Sequence, residues 1–159
     1  QEMSRGLGDV YKRQLGNAIM SVSTSAAELA KLHAHAEEGY PHEVVGILAG
    51  DRLTGRIERV HPLVNERSDS AHNRYKVSGL TLMRAERGLE AQGLDILGYY
   101  HSHPDHTAQY SDFDREHALP NMSYVIVSVR NGVVAETASW RLKEDRSAMD
   151  SESLDIVSV

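Results

Sequence analysis

The chain has 159 residues, 40% apolar and 25% charged, enough for one domain with a real core and ordinary for a globular protein. Its net charge of −6 argues against a nucleic-acid backbone as main partner, because that affinity rests on clustered Lys and Arg. With no cysteine, the chain excludes disulfides, thiol nucleophiles, thiolate zinc sites and the Pro-Cys-x-x-Cys metal site of nucleobase deaminases. Any metal must therefore sit on nitrogen and oxygen ligands. No apolar run approaches the roughly 18 residues needed to span a bilayer, and the opening residues lack a secretory h-region, so a cytoplasmic protein without a membrane partner is expected.

Residues 1–19 carry no periodic pattern and are read as a flexible leader or non-native segment ahead of a domain spanning 20–141. Ser25-Ala-Ala-Glu28 has the spacing of a capping box, and Leu29, Leu32 and Ala36 follow at helical intervals. Gly39 and Pro41 are expected to end that helix, the glycine as a left-handed cap. His33 and His35, two apart on it, are expected to point to different faces and into solvent. Val44–Gly50 is a β-branched apolar run suited to a buried strand, with a second strand at about 56–61 after the Asp51–Gly55 turn. Residues 62–73 read as loop and Arg74–Val77 as a short strand.

Leu82, Met83 and Leu89 mark a helical stripe stopping at Gly93, and Leu94–Tyr100 reads as a central strand with Tyr99 and Tyr100 on opposite sides. A short helix is expected over Asp112–Leu119, ended by Pro120. Asn131-Gly132 is a strong hairpin signal between Ser123–Val129 and Val133–Trp140. Residues 142–159 read as an acidic tail or a short final strand at Leu154–Val157. The order helix, hairpin, helix, strand, helix, hairpin predicts a single α/β domain, one mixed sheet flanked by helices.

The chemistry-bearing cluster lies after the central strand. In extended chain, residues two apart share a face, so His101 and His103 can converge on one ion. Seven residues then intervene before Ser111-Asp112-Phe113-Asp114, a loop long enough to bring Asp114 back as a third ligand from the first turn of a helix. Three protein ligands leave a fourth position for water, as catalytic zinc requires. Glu43 is the candidate general acid/base, because a carboxylate at the mouth of an apolar strand needs a partner or a purpose. Ser111 has two readings that sequence alone leaves open, helix N-cap or donor to an oxyanion.

These residues resemble the JAMM (MPN+) zinc metallopeptidases, which carry an upstream Glu, then His-Ser/Thr-His-Pro, then Ser-x-x-Asp at fixed spacing. Here the elements stand as Glu43, His101-Ser-His-Pro104 and Ser111-Asp-Phe-Asp114, within a resemblance covering about residues 25–141. The resemblance implies a cytidine-deaminase-like fold and one Zn²⁺ on His101, His103 and Asp114. It also implies Glu43 as general acid/base and Ser111 as oxyanion stabiliser. The implied partner is a ubiquitin-like or sulfur-carrier protein cleaved after its C-terminal Gly-Gly, as in the stand-alone bacterial and archaeal branch. Asn65, Arg74 and Tyr75 lie where such a tail would run, although plain loop and strand roles are the better expectation. An extended tail is expected to dock by strand addition near Arg74–Val77.

Other readings fit less well. His101-Ser-His-Pro-Asp-His106 also spells the metallo-β-lactamase-fold signature, but that fold needs downstream ligands and the last histidine is His117. Non-haem iron oxygenases place the carboxylate beside the first histidine, the reverse of the order here. The DNA-repair-associated JAMM branch begins its loop with His-Asn-His-Pro-Ser-Gly. The non-enzyme alternative is an MPN scaffold that binds a ubiquitin-like partner, but such members have usually lost ligands that are all present here.

Overall fold

The computed structural model describes residues 21–66 and 77–158. The expected leader and the positions of Arg74 and Tyr75 therefore lie outside the described residues. The elements run β1 (Ser21–Thr24), α1 (Ala26–Gly39), β2 (Val45–Asp51), β3 (Arg56–Leu63), α2 (Gly79–Ala91), β4 (Asp95–Pro104), α3 (Asp112–His117), β5 (Ser123–Arg130), β6 (Val133–Leu142) and β7 (Met149–Ile156). The strands form one mixed sheet in the order β1-β3-β2-β4-β5-β6-β7, and its edges meet because β7 also pairs in parallel with β1. The expected single mixed-sheet α/β domain is what forms.

Two apolar clusters hold the sheet. Leu32 and Ala36 of α1 pack with Leu48, Val60, Leu97, Tyr100 and Val125 on one side. Leu89 of α2 packs with Val45, Ile47, Ala49 and Ile96 on the other. Strand alternation produces this division, since successive residues of β2 and β4 face opposite ways. Tyr100 is fully buried against α1 while Tyr99 packs on the α2 side, as the sequence predicts. Met83, by contrast, is exposed, and the stripe of α2 runs through Leu82, Ala85 and Leu89, at spacings of three and four.

Several local expectations are corrected. Ser25 caps α1 by accepting from the Glu28 N–H at 3.1 Å, but Glu28 does not complete the box. Its carboxylate accepts instead from the Val60 N–H at 2.8 Å, tying the helix to β3. Gly39 is not a left-handed cap: it is the last helical residue, and a Cβ there would meet Val44 Cγ1 at 2.2 Å, so close approach is its reason. His33 and His35 are half-buried rather than freely solvated. His33 Nε2 bonds Thr137 Oγ1 at 2.8 Å and His35 Nδ1 bonds the Tyr100 hydroxyl at 2.6 Å. Asn131 and Gly132 both adopt positive φ, the geometry of the expected hairpin turn. The residues read as tail or short strand form β7, which pairs with both β6 and β1.

Candidate metal centre and cleft

The central strand does not stop at Tyr100 but continues to Pro104, in register with β5 from Gly98↔Ser123 to Pro104↔Val129. His101 and His103 are thus strand residues, which fixes their shared face more firmly than a loop would. The same alternation sends Ser102 the other way, where it is fully buried. There its hydroxyl accepts from the Val44 N–H at 2.8 Å, while its own N–H donates to the Val44 carbonyl at 3.1 Å. Ser102 therefore locks the residue following Glu43 to the strand between the two histidines. Asn65 holds the other side of that segment, its amide donating to the Glu43 carbonyl at 2.9 Å. Sequence spacing assigned neither of these positioning contacts.

Asp114 arrives from α3. Ser111 caps that helix with a complete box: its hydroxyl accepts from the Asp114 N–H at 3.1 Å, and Asp114 Oδ2 accepts from the Ser111 N–H at 2.9 Å. A cap of this kind stabilises a helix by about 1 kcal/mol, a real fraction of what a six-residue helix needs. It also aims the carboxylate. Asp114 Oδ1 lies 3.1 Å from His101 Nε2, and Oδ2 lies 3.2 Å from His103 Nε2. The two Nε2 atoms are 3.2 Å apart. All three side chains are largely shielded from solvent.

The donor set fits a small cation. A carbonyl can only accept, so the 2.8 Å contact between His103 Nδ1 and the Thr107 carbonyl places a proton on Nδ1. The neutral ring then turns its Nε2 lone pair toward His101 and Asp114. Lone pairs facing one another at 3.1–3.2 Å repel unless a proton or metal lies among them. Edges of a tetrahedron built on bonds of 2.0–2.1 Å measure about 3.3 Å, close to these separations. The electrostatics agree. Burial opposes charge on His103, but the Asp114 carboxylate and the Thr107 carbonyl outweigh it and raise its pKa. Burial likewise opposes charge on Asp114, yet its bonds to both histidines hold it well below the usual carboxylate range. Among the described residues, His101, His103 and Asp114 are the group whose ligand atoms converge, all within 4.8 Å.

The cluster opens on a cleft of about 570 Å³ whose lining includes Glu43, His103, His106, Tyr110, Ser111 and Phe113. Glu43 is close enough for its charge to act on His103. Phe113 stacks on His117 with ring centroids 4.0 Å apart and stiffens the α3 wall. Asp105, the aspartate of the alternative lactamase-like reading, instead binds the Tyr40 hydroxyl at 2.7 Å and the Asn131 N–H at 3.0 Å. His106 lines the cleft as a loop residue.

Three converging side chains at the mouth of a cleft in an α/β domain fit a metal site that keeps a fourth position open. Residues 25–143 match the family described as prokaryotic homologs of the JAB domain, and the chain belongs to it. A relative from Thermus thermophilus named "Probable TtuB-protein conjugate cleaving protease" is 39% identical over 62% of this chain, which spans 64% of that protein. A desampylase of Haloferax volcanii is 32% identical, covering 67% of this chain and 80% of its own. A CysO-cysteine peptidase of Mycobacterium bovis is 32% identical over 78% of this chain and 83% of its own. The relatives are thus JAMM-type peptidases. Among solved structures, a Desulfitobacterium hafniense protein superposes with a TM-score of 0.74 at 26% identity, covering 87% of this chain and 94% of that one. A JAB1/MPN domain protein from Archaeoglobus fulgidus shares the fold, with a TM-score of 0.57 at 17% identity over 86% and 100% of the two chains. No helix among the described residues is long and apolar enough to cross a membrane.

Proposed function

We propose that this chain is a zinc peptidase that releases a ubiquitin-like or sulfur-carrier protein by hydrolysing the bond after its C-terminal Gly-Gly. The observation carrying this reading is the convergence of His101, His103 and Asp114 beside Glu43 at one cleft. Those three ligands would hold the ion. Zinc supplies Lewis acidity when bound, polarising a carbonyl and lowering the pKa of water to about 7.

The remaining work falls to the chain itself. Glu43 accepts a proton from the attacking water and delivers it to the amine nitrogen as the C–N bond breaks. Ser111 faces the same cleft. Its oxygen accepts the helix-capping N–H with a lone pair, which leaves its O–H to donate to the carbonyl oxygen as that oxygen becomes negative. Capping and oxyanion stabilisation are therefore compatible roles. Thr107 keeps the His103 ring in the tautomer that offers Nε2 inward. The names of the relatives, which cite a TtuB conjugate and CysO-cysteine, support a small modifier protein as the substrate.

The test is cleavage of a carrier protein extended beyond its Gly-Gly by a short peptide. Zinc-loaded wild type is expected to cut after the second glycine. Glu43→Ala should keep stoichiometric zinc and lose hydrolysis by about 10²–10⁴-fold, the usual contribution of a positioned acid/base. Full activity in Glu43→Ala would remove that residue from the mechanism.

A further inference from the structure

Between Pro104 and Ser111 the chain has no regular structure, yet it must deliver Asp114 to within 3.2 Å of both histidines. Backbone groups of an irregular loop are satisfied by side chains or water, so its fixed points can be read from its bonds. The loop has one fully buried residue, Ala108, in an otherwise open stretch. Both its main-chain groups are held from β6. Its N–H donates to Glu136 Oε1 at 3.3 Å, and its carbonyl accepts from the Trp140 indole N–H at 3.0 Å. Two residues earlier, the Ser128 hydroxyl donates to the His106 carbonyl.

Glu136 and Trp140 share a strand face because they are four apart on β6. A register shift aims that face: Ser128 pairs with Glu136 but Val129 pairs with Val134, leaving Ala135 as the extra residue of a bulge. The Trp140 ring also carries Tyr110 edge-on, with centroids 5.0 Å apart, and Tyr110 is part of the cleft wall. Neither side chain lines the cleft itself, so any effect on it passes through the loop.

We infer that Trp140 and Glu136 are positioning residues for the metal centre: they clamp the Ala108 peptide groups and so hold the Pro104–Ser111 loop in the one path that brings Asp114 onto the histidines. The inference rests on the proposed metal site but not on any substrate. A ligand delivered by a fixed loop binds without first paying to order it, whereas a loosened loop loses affinity by the fraction of time it is misplaced.

The test measures zinc affinity by chelator competition, with thermal stability of the metal-free chain recorded alongside. Trp140→Phe keeps an aromatic ring against Tyr110 while removing the N–H donor together with part of the indole. It is expected to weaken zinc binding by about tenfold, in line with a buried carbonyl left without its partner. Glu136→Ala should weaken it by about threefold, and Glu136→Gln, which keeps an acceptor oxygen, should recover most of that loss. Unchanged zinc affinity in Trp140→Phe overturns the inference, as does a fall in stability with affinity intact, which would mark a purely structural residue. Should wild type itself take up no zinc, the metal reading fails separately. Amide exchange at residues 108–110 of the metal-free chain then decides, with roughly tenfold faster exchange in Trp140→Phe supporting the clamp and unchanged exchange refuting it.

Discussion

The serine between the two histidines holds the strand that follows Glu43 rather than facing the cleft. His101 and His103 share a face, and Ser102 takes the opposite one, where its hydroxyl supplies the acceptor for the Val44 N–H. Val44 is itself buried, so removing that acceptor leaves a backbone donor without a partner and without water. Such an orphan costs about 1–3 kcal/mol. Ser102→Ala is therefore expected to lower stability by that amount in denaturant unfolding and to displace Glu43, its neighbour in sequence, from the cleft. Zinc content should be unaffected, because neither histidine nor Asp114 touches the hydroxyl. A variant as stable as wild type would contradict this role. The clustering of His101, His103 and Asp114 is legible in sequence, since a two-residue alternation and a Ser-x-x-Asp cap are local patterns. The Ser102–Val44 bond joins residues 58 apart and leaves no periodic trace.

At the scale of elements, what could be read from the sequence follows from what is local. Strand-forming runs, the Asn131-Gly132 turn and the α1 cap at Ser25 were readable because each is decided within a few residues. Tertiary contacts decided the rest. Glu28 has the spacing of a capping-box residue but spends its carboxylate on Val60, 32 residues away. β4 outlasts its apolar run because β5 pairs alongside it through Pro104, so polar His101–His103 stay in strand. β7 lacks a convincing pattern, its sequence being acidic and polar, and exists because β6 and β1 both present backbone to it. The bulge near Ala135 is likewise invisible in sequence, although it sets which side chains reach the metal-ligand loop.

Across the whole molecule, histidines outside the site couple stability to pH. His33 and His35, on α1, and His61, on β3, all have pKa values lowered from 6.5, in each case chiefly because burial disfavours the charged ring. Positive Arg59 and Lys31 add to the shift at His61, while Glu37 and Glu38 oppose it at His33 and His35. Because the unfolded chain takes up protons at these positions first, it binds more of them than the folded chain just below pH 6.5. The stability they contribute is thus present above pH 6.5 and lost as pH falls through their lower folded values. In urea unfolding of the metal-free protein, these three histidines should pull the midpoint down between about pH 7 and pH 5, against the opposite contribution of His103, whose raised pKa adds stability as pH falls. His35→Gln, which keeps a polar partner for Tyr100, should flatten that slope. An equally steep slope in the variant would show that His35 contributes nothing to it.

We propose that two strand histidines and one helix-capping aspartate form the metal centre of this fold. Metal content of the purified chain after zinc repletion and desalting, measured beside Asp114→Ala, tests it most directly. One zinc per chain is expected in wild type, with loss of tight binding in the variant. A wild-type chain that retains no zinc, or an Asp114→Ala chain that retains as much as wild type, would contradict it.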